Sequence, residues 1–150
     1  MREVNDKCRI AVVQAEPVLF DSEEYQKVNE IYSKNFNSRV EDANEGTPTD
    51  GKSRNIEGLS VYNYMWGPSE FSCSGTLRGH DSTHLLSKIK VPVLYICGEY
   101  DSGTPEAAKK YMAKTPNAQL QVIPGCAHNA SREKPKEFNK ILKDFANSLK

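Results

Sequence analysis

The chain has 150 residues, with 20 Lys and Arg against 20 Asp and Glu and a formal net charge of zero. That length suits one ordinary domain, and the balanced charge supplies no long-range field that would draw it to nucleic acid or to an anionic membrane. Leu, Ile, Val and Phe make up about a fifth of the residues, near the composition below which chains tend to disorder, but without the high net charge that accompanies disorder, so a folded chain with a thin core is expected.

The first segment, MREVNDKCRIAVVQAEP, holds only a four-residue apolar run, Ile10 to Val13, and so lacks the apolar stretch of a secretory signal. No run approaches the roughly 20 residues of a membrane helix. A cytoplasmic protein is expected. Ser22 followed by Glu23 and Glu24 predicts a helix start, because a hydroxyl cap and early negative charge suit the free amides. Tyr25, Val28, Tyr32 and Phe36 then recur at helical spacing and predict one apolar face. Residues 37–58 are almost wholly polar, with three Gly and one Pro, and read as a long loop.

The second half is more regular. Val91-Pro-Val-Leu-Tyr-Ile-Cys97 reads as a buried strand that tolerates Pro92 at its start. Thr104-Pro105 predicts a helix start, cap followed by first turn, with Ala107, Ala108, Tyr111 and Met112 as its buried stripe. Pro116-Asn117 ends that helix, and Leu120-Gln-Val-Ile123 is a second strand closed by Pro124-Gly125. Pro135 opens a last helix with Phe138, Ile141, Leu142, Phe145 and Leu149 on one face. The order strand, helix, strand, helix predicts an α/β unit whose strands run parallel, joined by a right-handed crossover.

Parallel strands send their carboxyl ends to one edge, where ligands gather. Asp101 lies four residues past Cys97, and His128 five past Ile123, so both are expected in loops at that edge. A carboxylate there can fix the tautomer of the imidazole and stabilise its protonated form while the histidine acts as a general base. Spacing alone leaves open that Asp101 caps the following helix and His128 is a plain loop residue. The four cysteines, Cys8, Cys73, Cys97 and Cys126, contain no C-x-x-C pair and read as free thiols. Cys126 and Cys97 are weak candidates for a nucleophile. His80 and His84 flank Asp81 at helical spacing, but no third ligand is evident and no metal is expected.

One resemblance extends this reading. Tyr64-Met-Trp-Gly-Pro-Ser-Glu-Phe71 resembles the WGPxEF signature of proline iminopeptidases, the prolyl aminopeptidase family of α/β-hydrolases. Gly75-Thr76-Leu77, Asp81, Leu86 to Ile89 leading into Val91-Pro92, and Gly98-Glu-Tyr-Asp101 with Thr104-Pro105 follow in that family's order. Pro116-Asn117-Ala118, Gly125-Cys-Ala-His128 and Glu133-Lys-Pro135 complete it. The resemblance implies a truncated α/β-hydrolase: residues 1–61 as the remnant of a helical cap, and residues 62–150 as the C-terminal part with its last two strands. It implies serine hydrolysis of an N-terminal proline or other small residue from peptides, with no cofactor. By position, Asp101 is the implied triad acid and His128 the base. Glu70 is the carboxylate that would bind the substrate's free amino group by a charge-assisted bond, and Trp66 is an apolar wall of the pocket. A surface acid and a core aromatic are the structural alternatives for these last two.

Two departures stand out. Ser102 occupies the position after the implied acid where the family often has a second glutamate. A nucleophile elbow, G-x-S-x-G between a strand and a helix, occurs nowhere in these residues; Ser74-Gly75 has no leading glycine. The isolated chain is therefore expected to be inactive. It would be a non-catalytic remnant, an accessory or binding subunit, or the second half of a split enzyme. Its expected partners are a missing N-terminal half or a second copy, through apolar surface that two strands leave uncovered.

Overall fold

The computed structural model describes residues 22–40, 56–69 and 71–150; sequence readings that fall on 1–21, on 41–55 and on Glu70 lie outside them. The described residues form two units, one of residues 22–33, 56–69 and 71–80, the other of residues 34–40 and 81–150.

In the first unit, helix α1 (Glu23–Tyr32) begins as its sequence predicts, with Ser22 Oγ accepting the Tyr25 N–H at 3.2 Å. Tyr32 is buried, and its ring meets Phe71 edge-on at 4.7 Å. Tyr25 shares a 2.5 Å hydroxyl hydrogen bond with Ser69. The helical spacing does not carry through to Phe36, because Ser33–Asn37 widens into a π turn, which takes an extra residue per turn and shifts the register. Helix α2 (Ile56–Met65) starts inside the stretch read as a loop. Of its described side chains, Val61, Tyr62, Tyr64 and Met65 are all exposed.

After α2 the chain doubles back. Thr76, Leu77 and Gly75 donate their N–H groups to the carbonyls of Tyr64, Met65 and Trp66 at 3.1, 2.8 and 2.8 Å. Gly67 sits in this fold-back at φ +136°, where a Cβ would lie 2.5 Å from the Ser72 carbonyl oxygen. Both the torsion and the space demand glycine.

The second unit carries a 3₁₀ turn at Thr83–Lys88, then β1 (Val93–Gly98), α3 (Pro105–Met112), β2 (Ala118–Ile123), α4 (Ala130–Glu133) and α5 (Pro135–Ser148). The strands pair in parallel, from Val93 opposite Ala118 to Gly98 opposite Ile123. This is the βαβα unit that the sequence predicts. Thr104 caps α3, its Oγ1 accepting the Ala107 N–H at 3.2 Å, with Pro105 in the first turn.

Alternation along β1 divides its side chains between two faces. Ile96 packs with Phe138 and Ile141 of α5 against the core of Ile123, Cys126 and Ala130. Tyr95 points the other way and joins its hydroxyl to Thr115 Oγ1 at 2.8 Å.

Three details differ from the sequence reading. The first strand begins at Val93, whose N–H is the one that reaches the Asn117 carbonyl at 3.1 Å; Val91 is 64% exposed and Pro92 has no N–H to donate. Tyr111, expected in the buried stripe of α3, is exposed, as are Leu142 and Leu149 on α5. A sheet of two strands is too narrow to cover the full apolar arc of either helix, so the flanks of each stripe face outward. The short helix α4 has no counterpart in the periodicity, since four residues span barely one turn. Among the described residues, no helix is long and apolar enough to cross a membrane.

Candidate active site

The carboxyl ends of β1 and β2 open on the same edge, and the loops that leave them are bonded together. Glu99 and Tyr100 donate their N–H groups to the carbonyls of Ile123 and Cys126 at 3.0 and 2.9 Å, and the Gly125 N–H donates to Glu99 Oε2 at 2.9 Å. These bonds set Asp101 and His128 side by side, with Asp101 Oδ1 2.9 Å from His128 Nδ1.

The two differ sharply in exposure: the Asp101 side chain is 8% accessible and that of His128 62%. The Gly103 N–H also donates to Asp101 Oδ1 at 2.7 Å, and the Ser102 hydroxyl lies at 3.5 Å. The capping alternative is thus resolved in detail. Thr104 caps α3, and Asp101 orders its own turn while holding the imidazole. A neutral imidazole with its proton on Nδ1 would donate to the carboxylate and leave Nε2 as an acceptor.

The approach of the two loops depends on Gly98. A Cβ there would run into the carbonyl oxygens of Cys126 and Ala127. Backbone cannot swing aside as a flexible side chain can, so Gly98→Ala must push the histidine loop away from β1. Such overpacking costs about 1–3 kcal/mol. Thermal unfolding of this variant is expected to show that loss, and a melting curve equal to the parent's would refute the close approach.

The histidine loop has a further neighbour. His128 and Asn129 donate their N–H groups to the carbonyls of Phe36 and Asn37 at 3.1 and 2.9 Å. The guanidinium of Arg39 lies 4.2 Å over the ring of Tyr100. Sequence reasoning did not find this segment, and backbone-to-backbone bonds leave no residue signature that could have revealed it.

Of the other predicted site residues, Trp66 lies in the first unit, half-buried in the fold-back after α2. Glu70 falls outside the described residues. Cys97 and Cys126 are buried, at 5% and 0% exposure. Burial raises both thiols, that of Cys126 to about 11, so neither presents a thiolate at neutral pH.

A thiol reagent at neutral pH should therefore modify half-exposed Cys73 well before Cys126. The folded-state value of Cys126 lies above its ordinary 9.0. Unfolding then releases a proton between those values, and stability falls as pH rises from about 9 toward 11. Equal reaction rates at Cys73 and Cys126 would contradict the burial.

His80 and His84 do not share a helix: His84 lies in the 3₁₀ turn and His80 precedes it. Asp81 instead accepts the Thr83 N–H at 2.8 Å, which lowers its carboxyl from the usual range. Among the described residues, no group of three or more His, Cys, Asp or Glu is placed to hold a metal ion.

No family model matches the sequence. Curated relatives do. The proline iminopeptidase of Heyndrickxia coagulans is 37% identical over 129 residues, covering 86% of this chain and 44% of that protein. That of Lactobacillus helveticus is 30% identical over 126 residues, covering 84% and 42%. Among solved structures, the proline iminopeptidase of Mycobacterium smegmatis superposes with a TM-score of 0.76 at 25% identity, covering 97% of this chain and 52% of the other. VinJ gives 0.75 at 26%, covering 99% and 53%. The chain spans less than half the length of these curated relatives and about half of these solved chains. Over that length it resembles the proline iminopeptidase family of α/β-hydrolases in both sequence and fold, and its βαβα unit corresponds to their C-terminal part.

Proposed function

We propose that Asp101 and His128 are the acid and base of a proline iminopeptidase-type serine hydrolase, one that frees an N-terminal proline or other small residue from peptides. The observation that carries this is the 2.9 Å contact between a buried Asp101 and an exposed His128, at adjoining strand ends of a chain similar to these enzymes.

The chemistry follows from the geometry. Asp101 holds Nδ1–H, and Nε2 takes the proton of an attacking serine hydroxyl. The carboxylate stabilises the imidazolium that forms, which then protonates the departing amine. The same pair next draws a proton from water to release the acyl group. The serine and the oxyanion donors are proposed to come from outside these 150 residues, where no G-x-S-x-G pattern occurs. The fit is to a cytoplasmic peptidase, with residues 1–61 as cap and 62–150 as the C-terminal part of the hydrolase domain.

Glu70 is assigned to the substrate's α-ammonium group and Trp66 to the pocket wall, on the strength of the Trp66-Gly-Pro-Ser-Glu-Phe71 motif. The test complements the chain with the portion of the Heyndrickxia coagulans relative that it does not match. Glu70→Gln should then weaken cleavage of substrates with a free amino terminus by about 2–5 kcal/mol, the cost of losing one partner of a desolvated charge pair, and spare blocked esters. An equal loss on both would make Glu70 a structural residue.

A second reading is a non-catalytic accessory or binding subunit, associating with itself or with another chain. It differs from the first in that no complementing polypeptide would restore hydrolysis.

A further inference from the structure

We propose that Glu133 is a positioning residue for His128. The proposal rests on the reading of Asp101 and His128 as an acid–base pair, and adds a residue that touches neither of them. Glu133 closes the short helix α4, five residues beyond the histidine. Its two carboxylate oxygens lie 3.1 and 3.2 Å from the Ala127 backbone nitrogen, whose N–H donates to them. The Arg39 N–H donates to Oε2 at 3.1 Å. One carboxylate thus ties the residue just before His128 to the segment whose carbonyls hold His128 and Asn129.

Ala127 is fully buried, so its N–H requires a protein acceptor, and a charged acceptor makes the stronger bond. Without Glu133 that N–H loses this acceptor. The flanking bonds, Tyr100 N–H to the Cys126 carbonyl and His128 N–H to the Phe36 carbonyl, keep the loop in place. The Ala127 N–H shares one peptide with the Cys126 carbonyl, so without Glu133 that peptide is held at its carbonyl alone and rotates about that bond. That rotation turns the imidazole relative to Asp101, and the Nδ1–H bond is the first thing lost.

The tautomer of His128 reads this directly. The full chain has three histidines, and imidazole nitrogen NMR at about pH 8.5, above the ordinary histidine range, reports which nitrogen carries the proton. The parent is expected to show Nδ1–H at His128, and Asp101→Ala to lose it. Glu133→Ala should move His128 to mainly Nε2–H while amide protection in α5 stays unchanged. Glu133→Gln, with one acceptor oxygen and no charge for two donors, should give an intermediate population.

If the parent itself is mainly Nε2–H, the acid–base reading fails. If the parent and both Glu133 variants share the Nδ1–H form, that reading stands and the positioning role is refuted. If Glu133→Ala does not fold, Glu133→Gln decides, and a parent-like tautomer in it overturns the proposal.

Discussion

The purified 150-residue chain is expected to leave a serine-directed phosphonate probe unreacted and to show no burst with a prolyl amide or an activated ester. Asp101 and His128 can hold and move a proton, but acyl transfer also needs an atom to attack the carbonyl and donors for the oxyanion. Removing a single such donor costs about 10²–10³ in rate, the sequence has no elbow serine, and among the described residues the cysteine nearest to His128 in sequence, Cys126, is buried. Its thiol is raised to about 11. Mass spectrometry of the probe-treated chain checks this. Stoichiometric labelling of one serine would show that a nucleophile outside the elbow pattern had been recruited.

In the complemented enzyme, Asp101→Asn is expected to lower kcat by about 10⁴ with little change in KM. One oxygen, Oδ1, takes both the Gly103 N–H at 2.7 Å and His128 Nδ1 at 2.9 Å, so an amide oxygen left there keeps both bonds but not the charge that stabilises the imidazolium. The amide nitrogen is a donor, and facing it toward Nδ1 instead selects the imidazole tautomer with its proton on Nε2. That nitrogen then points a hydrogen at the serine in place of a lone pair. Steady-state kinetics alongside a melting curve separates the effects: a large kcat loss in a stable protein is the expected pattern. A loss of tenfold or less would reduce the pair to a structural contact.

The placement of Asp101 and His128 was legible in the sequence because a parallel βα unit leaves little choice. Two short β-branched runs separated by a capped helix pair side by side, and loops after them emerge at one edge. Thr104-Pro105 marked the helix start for a local reason, a hydroxyl acceptor and a residue with no N–H to satisfy.

What stayed hidden depends on partners distant in sequence. Periodicity assigned Tyr111, Leu142 and Leu149 to buried faces but could not say how wide the sheet beneath them is, and all three are exposed. The hold of Phe36 and Asn37 on the histidine loop uses carbonyl groups, which every residue carries. The WGPSEF motif was visible as a family feature. Its structural role at Gly67, a φ of +136° with no room for a Cβ, emerged only from the fold-back that surrounds it.

The most direct test of the acid–base assignment mixes the chain with the unmatched portion of the Heyndrickxia coagulans relative and follows phosphonate labelling of serine by mass spectrometry. Labelling is predicted only when both polypeptides are present, and is predicted to disappear when the chain carries His128→Ala. Labelling that proceeds equally without this chain or with His128→Ala, or a stable complex in which no serine reacts, would contradict the assignment.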